Sequence, residues 1–506
     1  MTFVSLAYLL LLPAVFLLYR TVLAHSVRGQ NVLLLAASYL FYGWWDWRFL
    51  ALLAGLTLTS WACALPRRHR RVWAAVNVAI CIAALVAFKY CGFFAENLRW
   101  LLRNFGWEMD WFTVEVLVPV GLSFYALQAI GYSVDVARGT VSPERSLPVL
   151  ALYISFFPQL VAGPIEQASS MLPQLRRPRP FDYAEAVDGC RRILWGFFKK
   201  IVVADGLARW VDWAFGTYDK MDGPWASVRL GACAMLFAVQ IYADFSGYSD
   251  IAVGSARLLG IRLTDNFRFP FFSRDGRELW TRWHRSLYLW LRTYIYIPLG
   301  GSRRGSRYAH VLAVFILSGL WHGAAWTYVV WGVLCGLWVC LSMWLHPGRV
   351  PSEPASRADL PRVALTFMAF AVVFIVFRSQ SVAGAYEYMV KALPGLAVLT
   401  ALIAAAAAAV ARVRWVLPVA ACGAVAVYAM ALAWLPAMVL PESIFYLPWI
   451  AALFMFAMEW RSRRGDSGMC RAPRSRVWRA VMYVVLAVLS VSGAATSTSG
   501  FIYFQF

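Results

Sequence analysis

Charged residues are scarce in this sequence. They make up only 14% of the 506 residues, whereas hydrophobic residues make up 61% and the mean hydropathy is +0.61. A soluble domain carries about 25% charged residues, so this chain cannot cover a water-exposed surface. Many of its apolar runs approach the roughly 20 residues that a transmembrane helix needs. The composition therefore excludes soluble enzyme folds and predicts an all-α polytopic membrane protein.

Several catalytic and metal-binding signatures are also missing. The sequence contains no GxxxxGK[ST] phosphate loop, no GxSxG elbow, no HExxH and no GxGxxG after a strand. Its nine cysteines show neither CxxC nor Cys/His ligand spacing, so neither a disulfide framework nor a zinc site is indicated. Hydride, phosphoryl and metal chemistry have no support, and we expect no metal and no bound cofactor.

The charge that is present is strongly basic, with a net charge of +21. The basic residues cluster in short loops between apolar runs, which the positive-inside rule explains without a polyanion, so no nucleic-acid partner is expected. The first apolar stretch, 3–18, has no basic segment before it and is followed by Arg20 and Arg28. It is predicted to stay in the membrane as a first helix with its N-terminus outside. Alternation of basic loops then predicts about twelve spans, with 262–307 at the inner face and the C-terminus outside.

Two stretches depart from a simple spanning helix. Residues 147–165 are apolar but contain Pro158, Gly163 and Pro164. They are expected to be re-entrant or kinked and to line a chamber, because broken backbone at membrane depth survives only inside protein. Residues 187–213 are predicted to form a tilted helix whose basic side chains snorkel to the inner face. The predicted organisation comprises N-terminal helices over 1–114, a core over 115–346 and C-terminal helices over 347–506.

His322 is an ionisable residue inside a predicted membrane span. If residue 308 lies at the inner face, His322 is about 21 Å deep at 1.5 Å per residue, beyond the midplane of a core roughly 30 Å thick. Gly319, Gly323 and Ala324 would let another group approach it closely. An ionisable group at this depth is a functional-site hypothesis. A core histidine bonded to a neighbouring helix is the alternative.

His284 lies in a segment, 279–294, with a helical pattern of apolar residues. The pattern predicts an amphipathic helix in the plane of the inner surface, with His284 beside its apolar stripe. Arg282, Arg285 and Arg292 are candidates to grip an anionic ligand. An ordinary interfacial anchor is the alternative. The stripe consists of Trp280, Trp283, Leu287, Trp290, Leu291 and Tyr294.

Polar residues also interrupt the apolar span over 227–254. Asp244 and Tyr248 share one helix face, and Asp250 follows them. Because these side chains cannot face lipid, they either line a cavity, where they would contact a substrate, or brace neighbouring helices.

Two further runs carry a family resemblance. The run RWHRSLxxWLRxYIYIPLGGS at 282–302 and the run GLWHGAAW at 319–326 resemble the membrane-bound O-acyltransferase (MBOAT) family, and most closely its bacterial alginate O-acetylation branch. The resemblance extends over nearly the whole chain, and it implies a helical chamber with re-entrant and in-plane helices. The other matching motifs, in order, are FYGWW at 41–45, PVGLSFY at 119–125, FPQLVAGP at 157–164, DFSGYSD at 244–250, DNF at 265–267 and FIYFQF at 501–506.

The resemblance implies a function and roles for specific residues. His322 matches the essential histidine of the family and His284 its second histidine, with Trp321 beside the first as a substrate-binding residue. Burial favours a neutral imidazole, the form that a general base needs. Two residues depart from the branch. This chain has Thr293 where the branch usually has an acidic residue, and Cys335 where the branch usually has a histidine.

The implied activity is acyl transfer across a bacterial inner membrane. The donor would be a cytoplasmic thioester, acetyl-CoA above all, and the acceptor an extracytoplasmic polysaccharide or peptidoglycan. A separate secreted partner of the SGNH, esterase-like type would complete the transfer. The alternatives are D-alanyl transfer to teichoic acid, a transporter or flippase, and a scaffold for polysaccharide export.

Tyr503 is the candidate for carrying the acyl group outward. It has the only side-chain hydroxyl in the aromatic hexapeptide 501–506, which follows a stretch of small residues at 494–500. We expect it to receive the acyl group as an aryl ester with His322 as the base. An aromatic anchor at the membrane interface is the alternative.

Overall fold

The computed structural model describes residues 1–107, 117–223, 225–348, 350–412, 447–465 and 475–494, and these residues contain helices but no strand. Among them are three short π-helical segments, at Val86–Tyr90, Phe198–Ala204 and Arg292–Tyr296. The helices are α1 (Leu6–Arg20), α2 (Val27–Gly43), α3 (Leu50–Ala64), α4 (Arg70–Asn104), α5 (Leu122–Arg138), α6 (Leu147–Ser155), α7 (Phe157–Leu160), α8 (Ala168–Arg176), α9 (Tyr183–Phe197), α10 (Asp205–Thr217), α11 (Ala226–Leu258), α12 (Gly276–Arg282), α13 (Arg285–Leu291), α14 (Arg307–His322), α15 (Trp326–Leu345), α16 (Leu360–Arg378), α17 (Val382–Arg412), α18 (Leu447–Ser462) and α19 (Arg476–Ala494).

The fold is that of a polytopic helical membrane protein, as the composition predicted. Seven segments of the described chain are long and apolar enough to cross a membrane. The expected number of about twelve spans stays a prediction. Residues 413–446, which include an apolar run at 415–436, lie outside the described residues, and α1 and α14 have only 15 and 16 residues.

Basic loops contact one another at the end of the helices where 262–307, the stretch predicted to lie at the inner face, begins. The Arg20 guanidinium at the end of α1 donates to the carbonyl oxygens of Arg179 (2.7 Å) and Leu258 (2.9 Å). Arg176 pairs with Glu144 at 2.5 Å. We call this end the inner face. Which side of the membrane it occupies in the cell stays a prediction.

The segment with the predicted backbone break is kinked, as expected. Helix α6 ends at Ser155, and the short α7 follows after Phe156, which has a non-helical ψ of 114°. The carbonyl of Leu160 at the end of α7 packs against Gly121, where an added Cβ would lie 2.6 Å from the carbonyl oxygen. Gly121 also has a φ of +77°, which glycine adopts without strain. The kink therefore brings the backbone of α7 directly onto the start of α5.

The prediction that the basic residues of 187–213 snorkel to the inner face is wrong for two of them, Lys199 and Lys200. Lys199 and Lys200 are buried and form ion pairs with Asp250 (2.6 Å) and Asp244 (2.7 Å) on α11. The physical reason is close helix packing along glycines. A Cβ at Gly196 would lie 2.5 Å from the carbonyl oxygen of its counterpart on α11. Two backbones this close leave no route for the lysine side chains to reach water, so carboxylates on α11 compensate their charge.

Candidate active site

A tight hairpin of α14 and α15 holds His322. His322 is the last residue of α14, as the depth argument requires. Gly319 packs against the carbonyl of Tyr328, and a Cβ there would lie only 2.1 Å from its oxygen. A Cβ at Gly323 would overlap the Tyr328 ring at 2.0 Å. The prediction that small residues permit close approach near His322 is therefore confirmed, and the group that approaches is the next helix.

His284 lies at a break between two short helices, and the predicted single helix over 279–294 is wrong. Helix α12 ends at Arg282 and α13 begins at Arg285. The main chain of 266–268 holds the break open: Arg268 N donates to Arg282 O (3.0 Å), and Arg285 N donates to Asn266 O (2.8 Å). These bonds replace the helical ones. Most of the predicted apolar stripe is buried nonetheless.

The break leaves His284 in a strained backbone conformation. Its φ is +44°, a left-handed geometry that is uncommon for a residue with a Cβ. Such outliers cost of order 1–3 kcal/mol and cluster at functional sites, where the surrounding structure enforces them. Asn266 supplies part of that enforcement, because its Oδ1 accepts a hydrogen bond from the Ser286 hydroxyl at 2.6 Å. The same hydroxyl accepts one from Ile165 N (2.9 Å) on the segment after α7.

The two histidines share an aromatic neighbour. The Trp321 ring lies 4.9 Å from the His322 ring and 5.9 Å from the His284 ring, measured between centroids. Neither ring nitrogen of His284 has a hydrogen-bond partner among the described residues. His284 lies between helices too short to span a membrane, and burial lowers the pKa of its imidazole well below the usual value. A neutral imidazole with unused nitrogens can donate or accept one hydrogen bond with a ligand.

A cavity of about 620 Å³ leads from the inner face to both histidines. We call it the inner cavity. Its volume falls in the range of roughly 300–1,000 Å³ that is typical of ligand sites. Arg277, Arg292 and Arg307 line it together with aromatic residues, and His284 and His322 lie on its wall. Arg292 and Arg307 are exposed. The inner cavity therefore combines cationic groups that water can reach with a buried histidine pair.

A second cavity, of about 100 Å³, lies on the other side of His322. We call it the outer cavity. Lys89, Ser123 and Trp321 line it, together with backbone near Gly121. Within the part of the chain that the structure describes, His322 is the one residue that lines both cavities. His322 is thus placed where the inner and outer cavities adjoin.

The structure distributes the sequence-predicted site residues unevenly. His284, His322 and Arg292 line the inner cavity, and Trp321 lies between the two histidines. Arg282 instead pairs with Glu278 at 2.5 Å. Four other predicted residues within the described ranges lie outside both cavities. The Arg285 guanidinium donates to the carbonyl of Asp265 (3.3 Å), Asp244 and Asp250 pair with lysines, and Tyr248 packs beside Phe3 at 5.3 Å.

For Asp244 and Asp250, this placement favours the bracing role that the sequence also allowed. Sequence reasoning missed Arg277, Arg307 and Lys89. A lysine inside the apolar run 72–90 was a signal that could have identified the last of these.

The remaining positions of interest lie away from the cavities or outside the described residues. Cys335 is fully buried within α15, and the carbonyl of Thr293 accepts a hydrogen bond from Arg138 at 3.3 Å. Tyr503 lies outside the described residues, so its predicted role stays a prediction. No group of three or more His, Cys, Asp or Glu side chains in the described ranges could hold a metal ion.

Comparison with known proteins identifies the family of this chain. Residues 141–379 match the model of the membrane-bound O-acyltransferase family. A probable alginate O-acetylase, AlgI, of Pseudomonas putida is 37% identical over 363 residues, covering 70% of this chain and 73% of the relative. The chain belongs to the membrane-bound O-acyltransferase family. The resemblance seen in the sequence is thereby confirmed, including its alginate O-acetylation branch.

Other members of the membrane-bound O-acyltransferase family are similar over different lengths. A peptidoglycan O-acetyltransferase of Helicobacter pylori is 29% identical over 424 residues, covering 76% of this chain and 78% of the relative. A teichoic acid D-alanyltransferase of Bacillus subtilis is 26% identical over 229 residues, covering 42% of this chain and 56% of the relative. The region matched to the family model, 141–379, contains both His284 and His322.

Proposed function

We propose that this acyltransferase moves an acetyl group from a cytoplasmic thioester to a hydroxyl acceptor that enters from the opposite side of the membrane. The observation that carries the proposal is the position of His322 on the walls of both cavities. A transporter would need a route for its whole substrate. An acyltransferase needs only two dead-end cavities that meet at a reactive group.

The inner cavity fits a thioester donor such as acetyl-CoA, which is the donor that we propose. Arg277, Arg292 and Arg307 suit the phosphate end of such a molecule, because guanidinium groups bind phosphate through paired, charge-assisted hydrogen bonds. The aromatic walls suit its apolar arm, and His284 can hydrogen-bond the group that reaches the depth of the cavity. These contacts bring the thioester carbonyl to His322.

The reaction at His322 is a direct acyl transfer. The imidazole takes the proton from the acceptor hydroxyl while the oxygen forms a bond to the thioester carbonyl carbon. The carbon–sulfur bond then breaks, and the leaving thiolate takes the proton from the imidazolium. The products are an ester and a free thiol, with no net change in protons on His322. A positioned base of this kind contributes roughly 10²- to 10⁴-fold to the rate.

The final acceptor that we propose is an extracytoplasmic polysaccharide or peptidoglycan. The support is the identity of similar proteins, which include a probable alginate O-acetylase and a peptidoglycan O-acetyltransferase. The proposal places the protein in the bacterial inner membrane with both termini outside. A secreted SGNH, esterase-like partner would take the ester from the outer side.

Mass spectrometry of surface glycans, from cells with and without the protein, tests this function. We expect the glycans of cells that lack the protein to lose ester-linked acetyl groups while the amount of glycan stays the same. Loss of ester-linked D-alanine instead would show that the transferred acyl group is D-alanyl and not acetyl. Loss of the glycan itself from the surface would favour an export component. Unchanged ester content would contradict the proposal.

A relay through Tyr503 is the finer part of the proposal. An aryl ester transfers its acyl group onward more readily than an alkyl ester does, because a phenolate is the better leaving group. Tyr503→Phe removes the nucleophilic hydroxyl and retains the ring. We expect this variant to lose glycan acetylation at a normal protein level. Wild-type acetylation would reduce Tyr503 to an aromatic anchor, and Tyr483→Phe on α19 provides a matched control.

A further inference from the structure

Lys89 lies inside the long helix α4 and faces the outer cavity. A lysine within a membrane span is costly and needs a physical explanation. Within the described residues, no carboxylate forms an ion pair with it, and its ammonium group donates to a hydroxyl and two carbonyl groups. The lysine lies in the π-helical segment Val86–Tyr90. Such single-turn π segments occur frequently at functional sites.

The ammonium group of Lys89 contacts the end of the helix that carries His322. Its Nζ donates to the carbonyl oxygens of Trp321 (2.5 Å) and His322 (3.1 Å), and to the Ser123 hydroxyl (3.2 Å). The neighbouring Tyr90 hydroxyl donates to the carbonyl of Leu320 at 2.7 Å. The last carbonyls of a helix lack partners within the helix, and a cation at this end also complements the helix dipole. One π turn of α4 therefore satisfies three consecutive carbonyls at the end of α14.

The same contacts determine where the rings of Trp321 and His322 lie. The Trp321 indole, which contacts both histidine rings, donates from Nε1 to the carbonyl of Ser123 at 3.4 Å. The Lys89 ammonium is 5.9 Å from the centroid of that indole. Lys89 thus joins α4, the start of α5 and the end of α14 at the point where the cavities meet. A shift of this turn would move His322 away from the boundary between them.

We infer that Lys89 is a positioning residue that fixes the last turn of α14, so that the His322 imidazole lies between donor and acceptor. This inference rests on the proposed function, because it assigns the reaction to His322. It predicts that loss of the ammonium slows acyl transfer without weakening donor binding. A displacement of about 1 Å at a catalytic group can lower a rate about 10²-fold.

The variant Lys89→Met tests this inference, because methionine fills similar space without the charge or the hydrogen bonds. Lys391→Met is the matched control: the Lys391 ammonium also donates to two carbonyl oxygens, those of Tyr218 (3.2 Å) and Asp219 (3.1 Å), but it lines neither cavity. Inverted membrane vesicles from expressing cells carry native acceptors and expose the cytoplasmic face. Titration with acetyl-labelled acetyl-CoA gives kcat per folded protein and the donor KM.

We expect Lys89→Met to lower kcat at least tenfold and to leave the donor KM within twofold of wild type. Lys391→Met should keep both values, and Lys89→Arg should recover part of the lost kcat because it can donate to the same carbonyls. Wild-type kcat in Lys89→Met would overturn the inference. A raised KM with unchanged kcat would also overturn it, since Lys89 would then be a donor contact. An equal loss of kcat in Lys391→Met would reduce Lys89 to a general structural anchor.

Two further variants cover the case in which Lys89→Met does not fold. Tyr90→Phe and Ser123→Ala each remove one hydrogen bond of the same cluster and keep the ammonium. We expect a smaller fall in kcat, twofold to tenfold, at constant KM in both. Wild-type kinetics in both would overturn the inference. Wild-type vesicles that transfer no acetyl group would instead overturn the proposed function itself.

Discussion

Two regions of this molecule place polar side chains inside the membrane, and their surroundings differ. The first, which we call the brace, joins α11 to α9 and α10 through the pairs Lys199–Asp250 and Lys200–Asp244. The second, which we call the chamber, contains His284 and His322. In the brace each cation has a carboxylate partner, and the cavity beside it measures only about 20 Å³. In the chamber, neither ring nitrogen of His284 has a hydrogen-bond partner among the described residues, and the two histidines line cavities of about 620 and 100 Å³.

Because polar groups are buried in both the brace and the chamber, burial of a polar group does not by itself identify a reactive site. A buried ion pair compensates its own charges and holds helices together. A buried imidazole beside an open cavity has capacity left for a ligand. The brace should therefore affect stability and the chamber should affect transfer, and each variant below tests one side of that division.

The largest effect is expected for His322→Ala. The variant removes the proposed base and should lower acetyl transfer at least 100-fold, within the range that a positioned base contributes. Protein level and thermal stability in detergent should stay near those of wild type. Retention of more than a tenth of the wild-type transfer would remove His322 from the mechanism. Ser318→Ala, one turn earlier on the same cavity wall, is the control for local packing.

In the brace, Lys199→Met should destabilise the protein and leave the chemistry intact. Removal of one partner leaves the Asp250 carboxylate uncompensated, and breaking a buried pair in this way costs about 3–5 kcal/mol. Lys199→Met with Asp250→Asn should be less destabilised than the single variant, since no lone charge remains. Thermal unfolding in detergent measures both. A fall in kcat per folded protein, with unchanged unfolding temperature, would place the brace in the reaction.

The smallest effect is expected at the mouth of the inner cavity. Arg292→Gln removes a cation that we assign to the phosphate end of the donor, and it should raise the donor KM roughly tenfold, which is about 1.4 kcal/mol. The kcat should stay unchanged, because the interaction is the same in the ground state and the transition state. Arg303→Gln, an exposed arginine outside the cavity lining, is the control. Equal effects of both substitutions would indicate that the donor KM depends on the overall surface charge and not on a contact made by Arg292.

Much of this organisation could be predicted from sequence, because apolar length and the order of motifs are local properties. The break within 147–165 followed from its proline and glycine residues, and the glycines on either side of His322 predicted the close helix packing that is found there. The break at His284 could not, since main-chain bonds from 266–268, distant in sequence, interrupt a pattern that reads as one helix. The two lysines of the brace were misjudged for a related reason, whereas a bracing role for Asp244 and Asp250 was among the sequence-based alternatives. The sequence pattern around a lysine in an apolar run does not show whether its ammonium group reaches water or forms an ion pair with an aspartate on another helix.

Acyl transfer measured separately on each side of sealed vesicles tests whether His322 links a cytoplasmic donor to an acceptor on the opposite side of the membrane. Acetyl-labelled acetyl-CoA would be supplied only to the exposed cytoplasmic face of inverted vesicles, and ester-bound label would be measured on each side. We expect labelled ester in the lumen of vesicles with the wild-type protein and none in the lumen of vesicles with His322→Ala. Ester that appears only on the donor side, or luminal ester that persists in the His322→Ala vesicles, would contradict it.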